Sequence, residues 1–375
     1  MKSTVAHPKR RALVRAATLL PLAALNLGAL AAPVIRRAPG QKLRVAFVYV
    51  SPVAQAGWTT QHERGRRVMQ AALGDKVESF YVENVPEGAD AERVIRDLAN
   101  QGYHLIFTPS FGFMNPTLRV AQEFPNTIFE QGTGYRTAAN VGTYNARYYE
   151  GRYLAGVIAG RATRTHRAGY VAAFPIPEVL QGINAFTRGA RSVDPKFQTA
   201  VVWTDAWHDP GRERDAAIAL AGQGADVLTH HTDTTAVVQF AEERKLMAVA
   251  YCSDMASFGP NAQLVAVTHQ WGGFYTRTVQ SVLDGTWAST SVLGGVRDGM
   301  IELQGFNPRL APDIRAQVDA RQRDIASGRL HPFMGAIRSN TGQLVQAKGS
   351  MSDDTLARMN YFVEGVLGKL PSGAS

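Results

Sequence analysis

Residues 42–50 read KLRVAFVYV, a nearly unbroken apolar run that stops at the Ser-Pro pair 51–52. A run of this length, closed by turn-forming residues, predicts a strand that is buried on both faces. From about Gln61 onward the apolar residues instead share one helical face, and Gly74 ends the predicted helix. A buried strand followed by an amphipathic helix is the unit from which parallel α/β sheets are built.

The same alternation continues to about Asn140 and then starts again, so the chain predicts two similar lobes. Each lobe is expected to be a parallel sheet flanked by helices, and a hinge of several strands should join the two. The expected segments are a lead-in at 32–41, a first lobe of 42–142 plus 264–290, a second lobe of 143–263 plus 291–360, and a C-terminal tail at 361–375.

The first 31 residues predict a secretory signal peptide. Five basic residues without an acid precede an apolar stretch at 16–28, and Ala29-Leu30-Ala31 then forms a small-x-small cleavage pattern. Cleavage near Ala31 lowers the formal net charge of +9 by five. Because no cysteine follows to carry a lipid, we expect a free periplasmic protein, exported by the general secretory or the twin-arginine route. A buried N-terminal helix is the alternative interpretation.

Composition excludes several classes of protein. A chain that is 45% hydrophobic and 19% charged can bury packed cores and is not intrinsically disordered. Its single cysteine, Cys252, excludes a disulfide framework and a multi-cysteine metal cluster. His230 and His231 are adjacent on a predicted strand and point to opposite faces, so we expect neither a metal nor a cofactor. Much of the basic charge lies in the signal peptide, and we expect no nucleic-acid partner.

Aromatic side chains follow the carboxyl ends of the predicted strands, where parallel sheets bind their ligands. Four of the five tryptophans lie in such loops, and carboxylates accompany them. The candidate binding residues are Trp58, Phe111, Trp207, Trp271, Glu178 and Asp254. An aromatic cleft with a few carboxylates suits a flat ring with hydrogen-bonding edges.

Four short stretches follow one another along the chain: GRYLAG at 151–156, GARSVDP at 189–195, QGADVL at 223–228 and GMIEL at 299–303. Together they resemble the basic membrane protein (Bmp) family of ABC-importer substrate-binding proteins, over most of the chain. The resemblance implies a type I periplasmic binding fold and a purine nucleoside or base as ligand. It also implies an inner-membrane permease with a separate ATPase as the partner.

Position by position, the resemblance implies roles for several of the candidates. Trp58 stands where the family has the aromatic of a Gly-Phe-Asn-Asp loop, and Trp207 where it has the second stacking aromatic. Phe111 matches a Gly-Phe pair after the third strand. Asp254 matches the second acid of an Asp-x-Asp-Gln segment, whose first acid is a cysteine here.

Two positions depart from the family pattern. The Asn-Asp pair is replaced by Thr59-Thr60, and the lysine expected after the last crossover strand is Gly272. In the family these polar residues help to hold the ligand, plausibly its ribose. The departures therefore favour a free purine base, with adenine first and a nucleoside next.

Two other functions remain open from the residues alone. Cys252 and a nearby histidine could serve a purine- or nucleoside-processing enzyme, although a lone cysteine at the end of an apolar strand is more often inert. A sensor or regulator could share the fold, but a regulator needs a DNA-binding segment where this chain has its signal peptide. We expect a monomeric binding protein that closes on its ligand and is not an enzyme.

Overall fold

The computed structural model describes residues 40–371, together with Met1, Ile35 and Ala38. Apart from Met1, the predicted signal peptide lies outside the described residues, as does most of the lead-in. Within the described part, no helix is both long and apolar enough to cross a membrane.

The first part of the chain builds a parallel sheet around the strand that opened the sequence. Every residue of that strand except Arg44 is buried, as its apolar run predicts. The elements are β1 (Leu43–Val48), α1 (Trp58–Leu73), β2 (Val77–Val82), α2 (Ala89–Asn100), β3 (Leu105–Pro109), α3 (Met114–Glu123), β4 (Ile128–Gly132) and β5 (Val141–Ala146).

The alternation then restarts and builds a second sheet. The elements are α4 (Tyr148–Ala162), β6 (Arg167–Ala172), α5 (Pro177–Arg191), β7 (Gln198–Trp203), α6 (Pro210–Gly222), β8 (Val227–His231), α7 (Ala236–Glu243), β9 (Met247–Cys252) and β10 (Gln263–His269). Helices α4 and α5 approach closely because both carry glycine at the contact. A Cβ added at Gly156 would overlap the Phe186 carbonyl, and one at Gly189 would overlap the Tyr153 carbonyl.

The remaining elements add one strand to each of these sheets and form a separate antiparallel pair of short strands. They are α8 (Gly272–Leu283), β11 (Ser291–Gly294), β12 (Ile301–Gln304), α9 (Pro312–Ala326), β13 (Ile337–Arg338), β14 (Leu344–Gln346) and α10 (Asp353–Leu356). The strand orders are β11-β5-β4-β3-β1-β2 and β12-β10-β9-β8-β6-β7. Only β12 is antiparallel within these two sheets. Two parallel sheets flanked by helices confirm the predicted fold class; below, each sheet with its helices is called the first or the second lobe.

Sheet membership differs from the expected lobe boundaries at three strands. β5 extends the first lobe to Ala146, whereas the expected boundary was residue 142. β10 was expected in the first lobe but pairs in parallel with β9 of the second. β11 was expected in the second lobe but pairs with β5 in the first. The chain therefore crosses between the lobes after β5, after β10 and after β11.

The segment expected to be a C-terminal tail, residues 361–375, packs against the second lobe as far as it is described. Val363 and Val366 are buried. Thr199 on β7 donates its backbone N–H to the Gly365 carbonyl at 2.9 Å and accepts from the Leu367 N–H at 2.8 Å. This pairing covers the open edge of β7, which would otherwise present unpaired backbone groups.

Candidate functional site

A cavity of about 40 Å³ lies between the lobes at the carboxyl ends of the parallel strands. This position is the one at which open α/β sheets bind ligands. It is lined by Val50, Trp58, Ser110, Phe111 and Thr133 from the first lobe and by Glu178, Trp207, His231, Thr232, Asp233, Tyr251 and Cys252 from the second.

Trp58 forms one wall, at the first residue of α1. Its indole Nε1 donates to the Pro109 carbonyl at 2.9 Å, which anchors the ring to the end of β3. The ring also packs edge-on against His62 and Trp271, with centroids 4.4 and 5.9 Å away. These contacts hold the indole in one orientation before any ligand arrives.

Trp207 comes from the second lobe, in the loop that precedes α6. Its ring packs edge-on against Phe174 at 5.1 Å and lies 6.4 Å from the His231 ring. The Trp207 carbonyl accepts the backbone N–H of Asp233 at 2.8 Å, which ties two cavity loops together. Phe111 lies in a short 3-10 turn after β3 and adds a further aromatic surface.

Glu178 places a carboxyl group on the cavity from the first turn of α5. Asn145 on β5 of the first lobe donates its Nδ2 to Glu178 Oε2 at 3.1 Å. Burial raises the pKa of Glu178 to about 7, and the Asn145 hydrogen bond partly offsets this rise. Near neutral pH the carboxyl group can therefore be either neutral or ionised.

His231 lies next to Glu178, with 3.7 Å between His231 Nε2 and Glu178 Oε1. It shares a 3.3 Å hydrogen bond with the Tyr251 hydroxyl. Burial, and then the positive charge of Arg152, lower the pKa of His231 well below its usual value. The imidazole is therefore neutral and makes no charged pair with Glu178.

Arg152 explains part of this electrostatic environment. Its side chain, on α4, is fully buried and donates hydrogen bonds to Thr229 Oγ1 at 3.1 Å and to the His230 carbonyl at 2.5 Å. The guanidinium group also lies over the Tyr251 ring, 3.6 Å from its centroid. Stacking on an aromatic face stabilises a cation that is cut off from water. The cavity thus has a buried positive charge behind its Tyr251 wall.

Asp233 connects the two lobes at the N-terminus of α1. Its carboxylate accepts the Ser51 hydroxyl and the Trp58 backbone N–H, both from the first lobe. Burial raises the pKa of Asp233 to about 7, and these donors partly offset the rise. Beside it, Ser253 Oγ accepts the Gly57 N–H at 2.9 Å and lies 3.0 Å from the Gly57 carbonyl, to which it donates.

Four of the six sequence candidates line this cavity: Trp58, Phe111, Trp207 and Glu178. The structure does not bring Asp254 there. Cys252 has a positive φ of 64°, which turns the chain at the end of β9. Asp254 Oδ1 then accepts from Gln263 Nε2 at 2.7 Å and from the Ala256 N–H at 3.0 Å, within its own lobe.

Trp271 is also outside the cavity lining. It is only 1% exposed and stacks on His62 at 4.9 Å with an interplanar angle of 12°. The reason is its place before α8, which packs on α1 and draws the indole into the core. Trp271 therefore supports Trp58 from behind and does not form a wall itself.

The sequence candidates omitted several lining groups, of which Asp233, His231 and Tyr251 are the most polar. Residues 231–233 lie at the carboxyl end of β8, where ligands are expected. From the sequence alone His231 suggests a metal ligand or a catalytic base, and no cluster of three or more potential metal ligands occurs in the described part of the chain. Cys252 lines the cavity, but burial raises the pKa of its thiol well above the usual value, which makes it a poor nucleophile.

A family model described as Bmp, the PnrA-like ABC transporter substrate-binding proteins, matches residues 42–329. The chain belongs to the Bmp family. Members are substrate-binding components of ABC transporters and not enzymes. The predicted family is confirmed, and so is the prediction that the chain is not an enzyme.

Two curated relatives of this Bmp protein are similar over most of their length. A purine-binding protein of Brucella abortus is 47% identical over 332 residues, which cover 88% of this chain and 95% of that protein. A protein of Haloferax volcanii, provisionally named an ABC transporter glucose-binding protein, is 36% identical over 333 residues, covering 89% and 82%.

Solved structures agree on the fold. An ABC transporter solute-binding protein from Aeropyrum pernix aligns with a TM-score of 0.67 at 18% identity, over 79% of this chain and 93% of that one. One from Conexibacter woesei aligns with a TM-score of 0.63 at 21% identity, over 77% and 98%. At these identities the likeness establishes the two-lobed periplasmic-binding architecture of the Bmp protein and no more.

Proposed function

We propose that this protein captures a free purine base, adenine before the others and a nucleoside next, in the cavity between its lobes. The observation that carries the proposal is the combination of four aromatic rings and two carboxyl groups around a single cavity: Trp58, Phe111, Trp207, Tyr251, Glu178 and Asp233. Stacking on aromatic rings contributes about 1–3 kcal/mol per base. The 47% identity to a purine-binding protein supports the same ligand class.

The polar groups favour a base over its nucleotide or nucleoside. Among the described residues, neither lysine nor arginine lines the cavity, so a phosphate would find no cation there. The two carboxylate oxygens of Asp233 already accept donors from Ser51 and Trp58. A ribose would have to compete with these contacts for Asp233.

The two threonines that replace the family's Asn-Asp pair are likewise engaged within the protein. Thr59 Oγ1 lies 2.6 Å from Ser51 Oγ. Thr60 Oγ1 donates to the Ala54 carbonyl at 3.0 Å and is buried. Both hydroxyls thus stabilise the loop that carries Trp58 and are already engaged within the protein. Their engagement favours a ligand without a ribose, which is smaller than a nucleoside.

The test is a calorimetric titration of the purified protein, stripped of co-purified ligand by unfolding and refolding. The panel is adenine, guanine, hypoxanthine, adenosine and glucose, the last because of the Haloferax relative. We expect adenine to bind with the highest affinity and glucose not to bind. Binding of glucose with no response to any purine would overturn the proposal.

The transport role extends this proposal. We infer that the loaded protein is a periplasmic monomer, released from its signal peptide near Ala31, and that it docks on an inner-membrane permease driven by a separate ATPase. Family membership supports the ABC transporter and its permease. Mass spectrometry of the secreted protein tests the cleavage site, and light scattering on a sizing column tests the monomer. Uptake of labelled adenine by cells with and without the gene tests transport.

A further inference from the structure

The carboxyl group of Glu178 has two oxygens in different environments. The Ala146 N–H donates to Asn145 Oδ1 at 2.8 Å, which fixes the orientation of the Asn145 amide. The amide nitrogen of Asn145 therefore faces Glu178 and donates to Oε2 at 3.1 Å. Since an N–H can only donate, Oε2 is the accepting oxygen of the carboxyl group.

The other oxygen, Oε1, makes no hydrogen bond with the described residues. His231 Nε2 lies 3.7 Å away, beyond hydrogen-bonding distance, and its ring is kept neutral by burial. Arg152, the cation behind the cavity, directs its hydrogen bonds to Thr229 and the His230 carbonyl. The titratable and charged groups around Glu178 are His231 on β8, Tyr251 and Cys252 on β9, and Tyr148 and Arg152 on α4.

Of these groups, Glu178 is the one that can change its charge near neutral pH; the Asp233 carboxyl group, which also lines the cavity with a pKa of about 7, has both oxygens engaged by Ser51 and Trp58. Burial raises the pKa values of the Tyr148, Tyr251 and Cys252 side chains well above their usual range, so they stay uncharged. Burial also brings the pKa of Glu178 to about 7. A proton on this carboxyl group is held at Oε1, because Oε2 is occupied by the Asn145 donor.

We propose that Glu178 selects the ligand as a neutral acid, with Oε1–H donating to a purine ring nitrogen and Oε2 accepting from the neighbouring N–H through the lone pair that Asn145 leaves free. This inference rests on the proposed function. A neutral carboxyl group presents one donor next to one acceptor. Adenine presents the complementary pair, an exocyclic amino donor beside a ring-nitrogen acceptor. An ionised carboxylate would instead place a negative charge against the ring nitrogen.

Binding of adenine at alkaline pH then takes up a proton from solvent. With the pKa of free Glu178 at about 7, roughly 0.9 proton is taken up at about pH 8 and roughly 0.1 at about pH 6. The affinity falls by about tenfold between the same two pH values, because only the neutral form binds. No other reactant is consumed, and the proton returns to solvent on release.

The experiment is calorimetric titration with adenine at about pH 8, in buffers of different ionisation enthalpy, which reports the number of protons taken up. The wild type should take up nearly one. Glu178→Gln keeps an acceptor and a donor in the positions of the neutral acid, so it should bind adenine with little pH dependence and no proton uptake. Glu213→Gln is the matched control: Glu213 is also buried with a pKa near 7, but it lies outside the cavity lining, and the uptake should persist.

A second variant keeps the test decisive if Glu178→Gln does not fold. Asn145→Ala removes the donor that lowers the pKa of Glu178, so the pH at which uptake is half-maximal should move upward. Adenine binding without proton uptake by the wild type, or uptake that survives in Glu178→Gln, overturns the inference and leaves the purine function standing. Failure of every purine to bind the wild type overturns the proposed function itself.

Discussion

Gly57 is the residue at which the contact between the lobes is most sensitive to a single added methyl group. It caps α1 with a φ of 114°, and its neighbours Trp58 and Ser51 donate to the Asp233 carboxylate of the second lobe. A Cβ at this position would overlap that carboxylate and lie 2.6 Å from the Asp233 carbonyl oxygen. Gly57→Ala must therefore push Asp233 away or hold the lobes apart.

The magnitude follows from the contacts that would be lost. A hydrogen bond to a charged group contributes about 1.5–3 kcal/mol, and the Gly57 contact with Ser253 adds about 1 kcal/mol. Because these contacts join the two lobes, their loss disfavours closure and thereby reduces ligand affinity. We expect a total of about 2–4 kcal/mol, which weakens adenine binding roughly 30-fold to several hundred-fold.

Gly88→Ala is the matched control for the backbone. Gly88 caps α2 of the same lobe with a φ of 91°, but nothing lies within 4 Å of an added Cβ. Both variants should lose a similar amount of thermal stability through backbone strain. Only Gly57→Ala should raise the dissociation constant in calorimetry, and it should expand the ligand-bound protein in small-angle scattering. Equal affinities in the two variants would refute the closure argument.

Three other measurements test separate parts of the site. Trp207→Ala should weaken adenine binding by about 1–3 kcal/mol, whereas Trp207→Phe should retain most of the affinity because a ring remains to stack; equal losses would argue against stacking. Cys252 should resist thiol reagents at about pH 8 until the protein is unfolded, because burial raises its pKa; rapid labelling of the folded protein would contradict this. Glu213 has a folded-state pKa of about 7, above the 4.5 of an ordinary glutamate, so folding binds a proton and stability falls as pH rises between these values. Glu213→Gln should therefore raise the melting temperature relative to wild type at about pH 8 but not at about pH 4.5, and an equal shift at both pH values would contradict the assignment.

The sequence predicted the fold class well because the signal is local. Each strand such as β1 is a short apolar run, and each helix begins and ends where its neighbours predict. The sheets to which β10 and β11 belong could not be predicted in this way, because a buried strand has the same apolar sequence pattern whichever sheet it joins. β10 pairs with the strand that directly precedes it, β9, whereas β11 pairs with β5 from a distant part of the chain.

The site was predictable to the extent that it follows from strand ends. Trp58, Trp207 and Glu178 lie on the cavity because each belongs to the loop or first helical turn that follows a parallel strand. Asp254 also follows a parallel strand but does not line the cavity, because the positive φ at Cys252 turns the chain just before it. Asp233 also lies at a strand end, but its contact with Ser51, 182 residues away in the other lobe, is not encoded in the local sequence.

The residues that line the cavity are also the ones that hold the lobes together. Asp233 accepts donors from Ser51 and Trp58 across the cleft, and Glu178 accepts one from Asn145. A ligand that contacts Trp58 and Glu178 therefore acts on two side chains whose positions already depend on closure. The same groups then contribute to ligand binding and to lobe closure. A ligand that contacts one of these side chains poorly therefore also fails to stabilise the closed state. Selection of the solute and formation of the closed state that a permease could recognise thus become one event.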